Sequence, residues 1–154
     1  MQEEEIIQTA DAVTGSWVYR MAPEWIRPYL KLARMDRPVG TWLLLWPCWW
    51  SVAMSTQAQG AYFSGSVSVT VCILFAIGAI VMRGAGCTYN DIVDKDFDAH
   101  VERTRSRPIP SGEVSLKQAW GFLAFQCLIG LAVLLLLSPL AMKLGFASLL
   151  LVLG

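Results

Sequence analysis

Hydrophobic and polar positions are sharply segregated along this chain. No Asp, Glu, Lys, Arg or His occurs from Pro38 through Met82, none again from Gln118 to Met142, and nothing charged follows Lys143. A soluble domain spreads its charges along amphipathic periods, whereas uncharged apolar runs of about 18 residues or more read as transmembrane helices. The pattern predicts spans over about 39–56, 66–88 and 116–137, and an incomplete one over 144–154. Between them lie a short uncharged turn at Gln57–Gly65, a polar loop at Lys95–Val114 and a turn at Ser138-Pro139. Residues 1–22 form a polar tail that opens with Glu3-Glu4-Glu5, and residues 23–154 form one membrane domain. The fold class expected is all-α: a polytopic transmembrane helix bundle.

Two segments add detail. From Pro23 to Arg37, the basic residues Arg27, Lys31, Arg34 and Arg37 alternate with Trp25, Ile26, Tyr29, Leu30 and Leu32. An amphipathic helix lying on the membrane explains this pattern, and so does a simple stop-and-anchor flank. In the first span, Trp42, Trp46, Trp49 and Trp50 recur on one helical face. An interfacial aromatic belt accounts for Trp42 and Trp46. Trp49 and Trp50 lie roughly 10–12 Å further along the axis, where they either pack or present ring faces to a cation. Pro47 is expected to kink this helix, and Gly84 and Gly86 in the second span to permit close helix approach.

Composition changes the picture in three ways. Twelve basic residues balance twelve acidic ones in a chain that is 55% hydrophobic, so no basic surplus points to nucleic acid and none is expected as a partner. Cys48, Cys72, Cys87 and Cys127 fall in or against apolar runs without C-x-x-C spacing, which argues for reduced thiols rather than disulfides or zinc. The acid-rich start fits neither a secretory signal nor an Arg-rich transit peptide, and the expected compartment is a bacterial inner membrane. Lys and Arg concentrate in the stretch before span one and in the loop after span two, which the positive-inside rule places in the cytoplasm. The last apolar run is about eleven residues where crossing takes roughly 20. The chain is therefore expected to be a piece of a longer protein, inactive by itself.

The candidate chemistry sits where the second apolar run ends. Asp91, Asp94, Asp96 and Asp98 fall within eight residues, next to Asn90. If the helix continues in register, Asp91, Asp94 and Asp98 share one face, with Asn90 beside Asp94 and Asp96 on another side. Three carboxylates on one face need cations, and Mg²⁺ takes hard oxygen ligands and shares them with phosphates. A solvated acidic helix end is the plain alternative. Arg83, inside the apolar run, falls within about 80–100° of the acidic face, and an arginine in a span faces a bundle interior or a watery cavity. Arg103, Arg105 and Arg107 follow the acids. Carboxylates with Mg²⁺ beside arginines suit a diphosphate. An ion carrier uses similar groups, but nearer mid-membrane and at broken helices.

Gly84-Ala-Gly-Cys-Thr-Tyr-Asn-Asp-Ile-Val-Asp-Lys-Asp-Phe-Asp98, with His100-Val-Glu-Arg-Thr-Arg-Ser-Arg-Pro108 after it, resembles the first aspartate motif of the UbiA-type membrane prenyltransferases. That motif, Asn-Asp-x-x-Asp-x-x-x-Asp, is matched by Asn90, Asp91, Asp94 and Asp98 and requires no acid at Asp96. Arg34-Met-Asp-Arg-Pro-Val-Gly-Thr41 extends the match, which runs from about Tyr29 to Gly112 and lies nearest the members that prenylate 4-hydroxybenzoate, with members acting on another aromatic acceptor as the alternative. The resemblance implies a nine-helix bundle, of which about four spans are here, and a second aspartate motif beyond Gly154. It implies Mg²⁺-dependent transfer of a polyprenyl group from polyprenyl diphosphate to 4-hydroxybenzoate, in ubiquinone biosynthesis. By the same resemblance Asp91, Asp94 and Asp98 are metal-binding and catalytic. Asn90, Arg83, Arg34, Arg37, Arg103, Arg105 and Arg107 are the substrate-binding candidates.

Overall fold

The helices lie where the apolar runs placed them. The computed structural model describes residues 20–59 and 65–153, with side chains over 20–55 and 68–148. The tail before residue 20 and most of the first turn lie outside the described residues. Within them every regular element is helical: α1 (Arg27–Leu32), α2 (Val39–Gln59), α3 (Gly65–Val93), α4 (Lys95–Asp98), α5 (Leu116–Leu135) and α6 (Pro139–Leu153). α3 runs five residues past the predicted end of its span and carries Asn90 and Asp91 with it. α6 starts at Pro139, five residues before the predicted start, because Ser138 caps it by accepting from the Ala141 N–H at 3.3 Å. Two helical stretches, Ser68–Val93 and Leu116–Leu135, are long and apolar enough to cross a membrane. Only 11% and 17% of their most apolar windows are buried, whereas a core helix of a soluble protein buries most of its surface.

The chain divides into two compact units. One comprises residues up to Gly40 with Arg83–Gln126, and the other Thr41–Met82 with Cys127–Gly154. In the first, Leu32, Ile92, Val114 and Ala119 form a buried cluster, with Tyr29, Ile109, Phe122 and Leu123 packed against it. Tyr29 and Phe122 meet with ring centroids 5.1 Å apart, and Lys31 Nζ donates to both Glu113 carboxylate oxygens at 3.0 Å. The basic segment before span one thus packs against the start of α5 through one face. Its helical part is only six residues long and docks through fully buried Leu32. α5 opens on a capping box: Ser115 N–H donates to Gln118 Oε1 at 2.9 Å, and Gln118 N–H returns to Ser115 Oγ at 3.3 Å.

In the second unit the tryptophan face splits. Trp42, Trp46 and Trp49 form a ring cluster with centroids 5.6–6.2 Å apart, and Trp49 Nε1 donates to the Cys72 carbonyl at 3.2 Å. Packing is thus the role of Trp49. Trp50 stands outside the cluster and, with Leu43, Trp46 and Pro47, lines an open apolar groove of about 450 Å³. Pro47 lies inside α2, which runs on through it.

Candidate active site

The helix that carries the acids does not continue in register. α3 ends at Val93, Asp94 sits at φ −85° and ψ 2°, and α4 starts at Lys95. The i→i−4 bonds persist across the break, from Asp94 N–H to Asn90 O and from Asp98 N–H to Asp94 O, both at 2.8 Å. The small turn of the backbone still decides which acids face inward. Asp91 and Asp98 are 2% and 7% exposed, while Asp94 and Asp96 face solvent. The expectation of three carboxylates on one face is thereby corrected to two. A buried carboxylate needs a partner, and each inward-facing one meets a guanidinium.

Those guanidiniums come from both flanks. Arg107 Nη1 donates to Asp98 Oδ2 at 2.6 Å and to Asp91 Oδ1 at 3.3 Å, so one cationic nitrogen bridges the two carboxylates. Arg34 Nη2 donates to the same Asp91 oxygen at 3.1 Å, across 57 positions of sequence. Arg107 is aimed by its loop. The Thr104 hydroxyl donates to the Asp98 carbonyl at 3.0 Å, and the Arg107 N–H donates to the Thr104 carbonyl at 2.9 Å.

Arg34 is placed by a helix stop. α1 ends with Arg34 N–H on Lys31 O at 3.0 Å and Met35 N–H on Leu30 O at 3.1 Å, the paired bonds of a Schellman motif. Its left-handed position favours glycine, yet here it holds Arg34 at φ 50°. The ion pair to nearly dry Asp91 offsets a strain of about 1–2 kcal/mol.

The remaining predicted residues divide. Arg37 is paired with Asp36 at 3.6 Å; the Asp36 side chain is 5% exposed and had not been singled out from sequence. Arg103 and Arg105 face solvent, as does Asn90. Arg83 Nη1 donates to Cys87 Sγ at 2.8 Å, while its Nε is buried with no hydrogen-bond partner. Its guanidinium lies against Gly40, where any Cβ would collide with it. That glycine makes room for an arginine whose Nε–H is buried without a partner.

Sequence reasoning also missed a buried polar joint. The Thr88 hydroxyl, one turn before Asp91, donates to the Gly84 carbonyl at 2.9 Å and lies 3.3 Å from the Gln126 amide. A Cβ on Gly84 would lie 3.2 Å from the Ala33 methyl and closer still to the Gln126 amide nitrogen. The close approach expected at Gly84 is present, and Gly86 faces open space. The available signal was Gln126, a polar side chain deep inside an uncharged run.

Hard oxygen donors at Asp91 and Asp98 already converge on one cationic nitrogen, and this donor set suits a divalent cation. Among the described residues no three His, Cys, Asp or Glu side chains gather as a ready-made metal cage.

Comparison with known proteins identifies the family. The profile of the UbiA prenyltransferase family matches residues 44–154. The 4-hydroxybenzoate polyprenyltransferase, mitochondrial, of Arabidopsis thaliana is 49% identical over 139 residues, 90% of this chain and 33% of that protein. Its namesake in Caenorhabditis elegans is 44% identical over 154 residues, 99% of this chain and 40% of the relative. The Saccharomyces cerevisiae protein of that name is 47% identical over 135 residues, 88% and 36% respectively. The chain thus spans between a third and two-fifths of the length of these relatives. No solved structure matches it significantly. With the profile covering more than two-thirds of its residues and the aspartate motif inside the matched stretch, this all-helical membrane chain belongs to the UbiA prenyltransferase family.

Proposed function

We propose that the protein transfers a polyprenyl group from its diphosphate to the ring of 4-hydroxybenzoate, releasing diphosphate. The observation that carries this reading is the pairing of Asp91 and Asp98 with Arg107 and Arg34 at the end of a span, in a chain whose named relatives are 4-hydroxybenzoate polyprenyltransferases. When the allylic C–O bond breaks, the leaving diphosphate takes the electron pair. The ring carbon ortho to the phenol hydroxyl then bonds the prenyl carbon and loses its proton.

Charge on the leaving group is what the site must stabilise. Arg107 and Arg34 are placed to donate to diphosphate oxygens, with Arg103 and Arg105 as further basic groups on the same loop. A bound Mg²⁺, held by Asp91 and Asp98 and from the exposed side by Asp94, would supply neutralisation of the diphosphate charge. Arg83, with a buried and unspent N–H, would hold an anionic group of a substrate, and Arg37 and Asn90 would line the approach. Apolar surroundings keep water from competing with the ring.

The test is prenyl transfer in native membranes as a function of Mg²⁺. Asp91→Ala and Asp94→Ala should each abolish transfer with membrane insertion intact, and Asp96→Asn should retain it, since the Asp96 side chain is exposed and pairs with Lys95 at 3.9 Å. Activity within a few-fold of wild type for both alanine variants would remove the metal-ligand role.

For topology, the tail and aspartate loop are proposed to be cytoplasmic and the host membrane a bacterial inner membrane. The asymmetry of basic residues supports the first. The named relatives are mitochondrial proteins, so fractionation of the native source decides the second.

A further inference from the structure

We infer that Arg107 is an internal placeholder for the metal, which makes the site take a divalent cation and a diphosphate together rather than a bare cation. The inference rests on the function proposed above and concerns how the same site is loaded. Two buried carboxylates, Asp91 and Asp98, face two guanidiniums, Arg34 and Arg107, so the buried acids are already balanced in charge. Arg107 Nη1 lies 2.6 Å from Asp98 Oδ2 and 3.3 Å from Asp91 Oδ1, the position of a cation shared by both acids. Arg107 itself is only 16% exposed, and Asp91 2%.

A divalent cation entering alone would have to evict this guanidinium. That leaves a largely desolvated arginine without its anions and brings two further positive charges into a balanced site, which is costly at low dielectric. A cation arriving with diphosphate carries the compensation with it. The displaced guanidinium turns to the phosphate oxygens, which arginine binds as readily as carboxylate. Arg34 starts from a backbone held by the Schellman turn, and its guanidinium has donors enough for both Asp91 and a phosphate oxygen. Metal and diphosphate therefore bind with positive coupling, and by linkage each raises the affinity for the other by the same factor.

The test needs no turnover. The full-length protein from its native source is purified in lipid nanodiscs, and free Mn²⁺, standing in for Mg²⁺, is followed by electron paramagnetic resonance with and without inorganic diphosphate. Wild type should bind Mn²⁺ at least tenfold more tightly when diphosphate is present. Arg107→Gln should bind Mn²⁺ alone at least tenfold more tightly than wild type, and its gain from diphosphate should shrink accordingly. If Arg107→Gln does not hold its fold, judged by its melting temperature, Arg107→Lys serves. Its shorter side chain loosens the bridge, so its affinity for Mn²⁺ alone should rise by a few-fold. Affinity for Mn²⁺ alone that is unchanged or weaker in the folded variant overturns the placeholder role while leaving the proposed function standing. A wild type that binds no Mn²⁺ even with diphosphate overturns the metal reading itself and the placeholder with it.

Discussion

Arg34 occupies a backbone position that a glycine would fill without strain, and what keeps it there is its contact with Asp91. Glycine and arginine thus serve different ends at the same φ of 50°, and two substitutions separate them. Arg34→Gly relieves the turn while removing the ion pair, so its stability should stay within about 1 kcal/mol of wild type. Arg34→Ala keeps the strained turn and also loses the pair, and should be less stable than Arg34→Gly by about 1 kcal/mol. Both should lose at least tenfold in prenyl transfer. Thermal unfolding in detergent beside an activity assay checks this, and equal melting temperatures for the two variants would show that the turn stores no strain. Arg34 was legible as a basic residue at the family motif, but not as the partner of Asp91. Nothing local to either residue encodes a contact 57 positions away.

At the scale of elements, α3 is aligned by a joint that hydropathy does not display. Thr88 meets Gln126 at 3.3 Å in a dry setting where Gly84 leaves the space, and Asp91 follows one turn later. Thr88→Val and Gln126→Leu should each cost about 0.5–1.5 kcal/mol, the usual worth of such bonds between membrane helices. The double variant should cost less than their sum, because either substitution alone already breaks the bond. Strict additivity in a double-mutant cycle would show that the two side chains do not interact. The break at Asp94 is the other decision taken at this scale. Period-3.6 reasoning set Asp91, Asp94 and Asp98 on one face, whereas the structure buries Asp91 and Asp98 and leaves Asp94, at the helix break, exposed.

For the whole molecule, the long apolar helices keep most of their surface uncovered, as befits a membrane chain. Leu128 on α5 is 64% exposed inside an uncharged run. Leu128→Lys should raise the cost of inserting this helix by about 3 kcal/mol, readable as lost insertion in a glycosylation-mapping assay; unchanged insertion would place Leu128 outside the hydrocarbon. The chain spans between a third and two-fifths of its relatives' length. Asp91 and Asp98, presented from one side, cannot enclose octahedral cations together with a diphosphate. Residues 1–154 expressed alone in a host lacking the enzyme should therefore insert into membrane and yield no prenylated 4-hydroxybenzoate. Turnover by the purified 154-residue chain would refute the need for opposing ligands.

Sequence alone determined the positions of the long helices, the all-α membrane class and the aspartate motif with its family. These are written in short-range patterns: uncharged runs long enough to cross a bilayer, and acids at fixed spacing after a span. Only the tertiary structure decided which acids turn inward, that Arg107 and Arg34 rather than Arg103 and Arg105 hold them, and that Gln126 meets Thr88. Spacing along a helix fixes an angle, but which buried charges meet depends on loops closing over distant segments. There the cost of leaving a desolvated group unpaired overrides the local register.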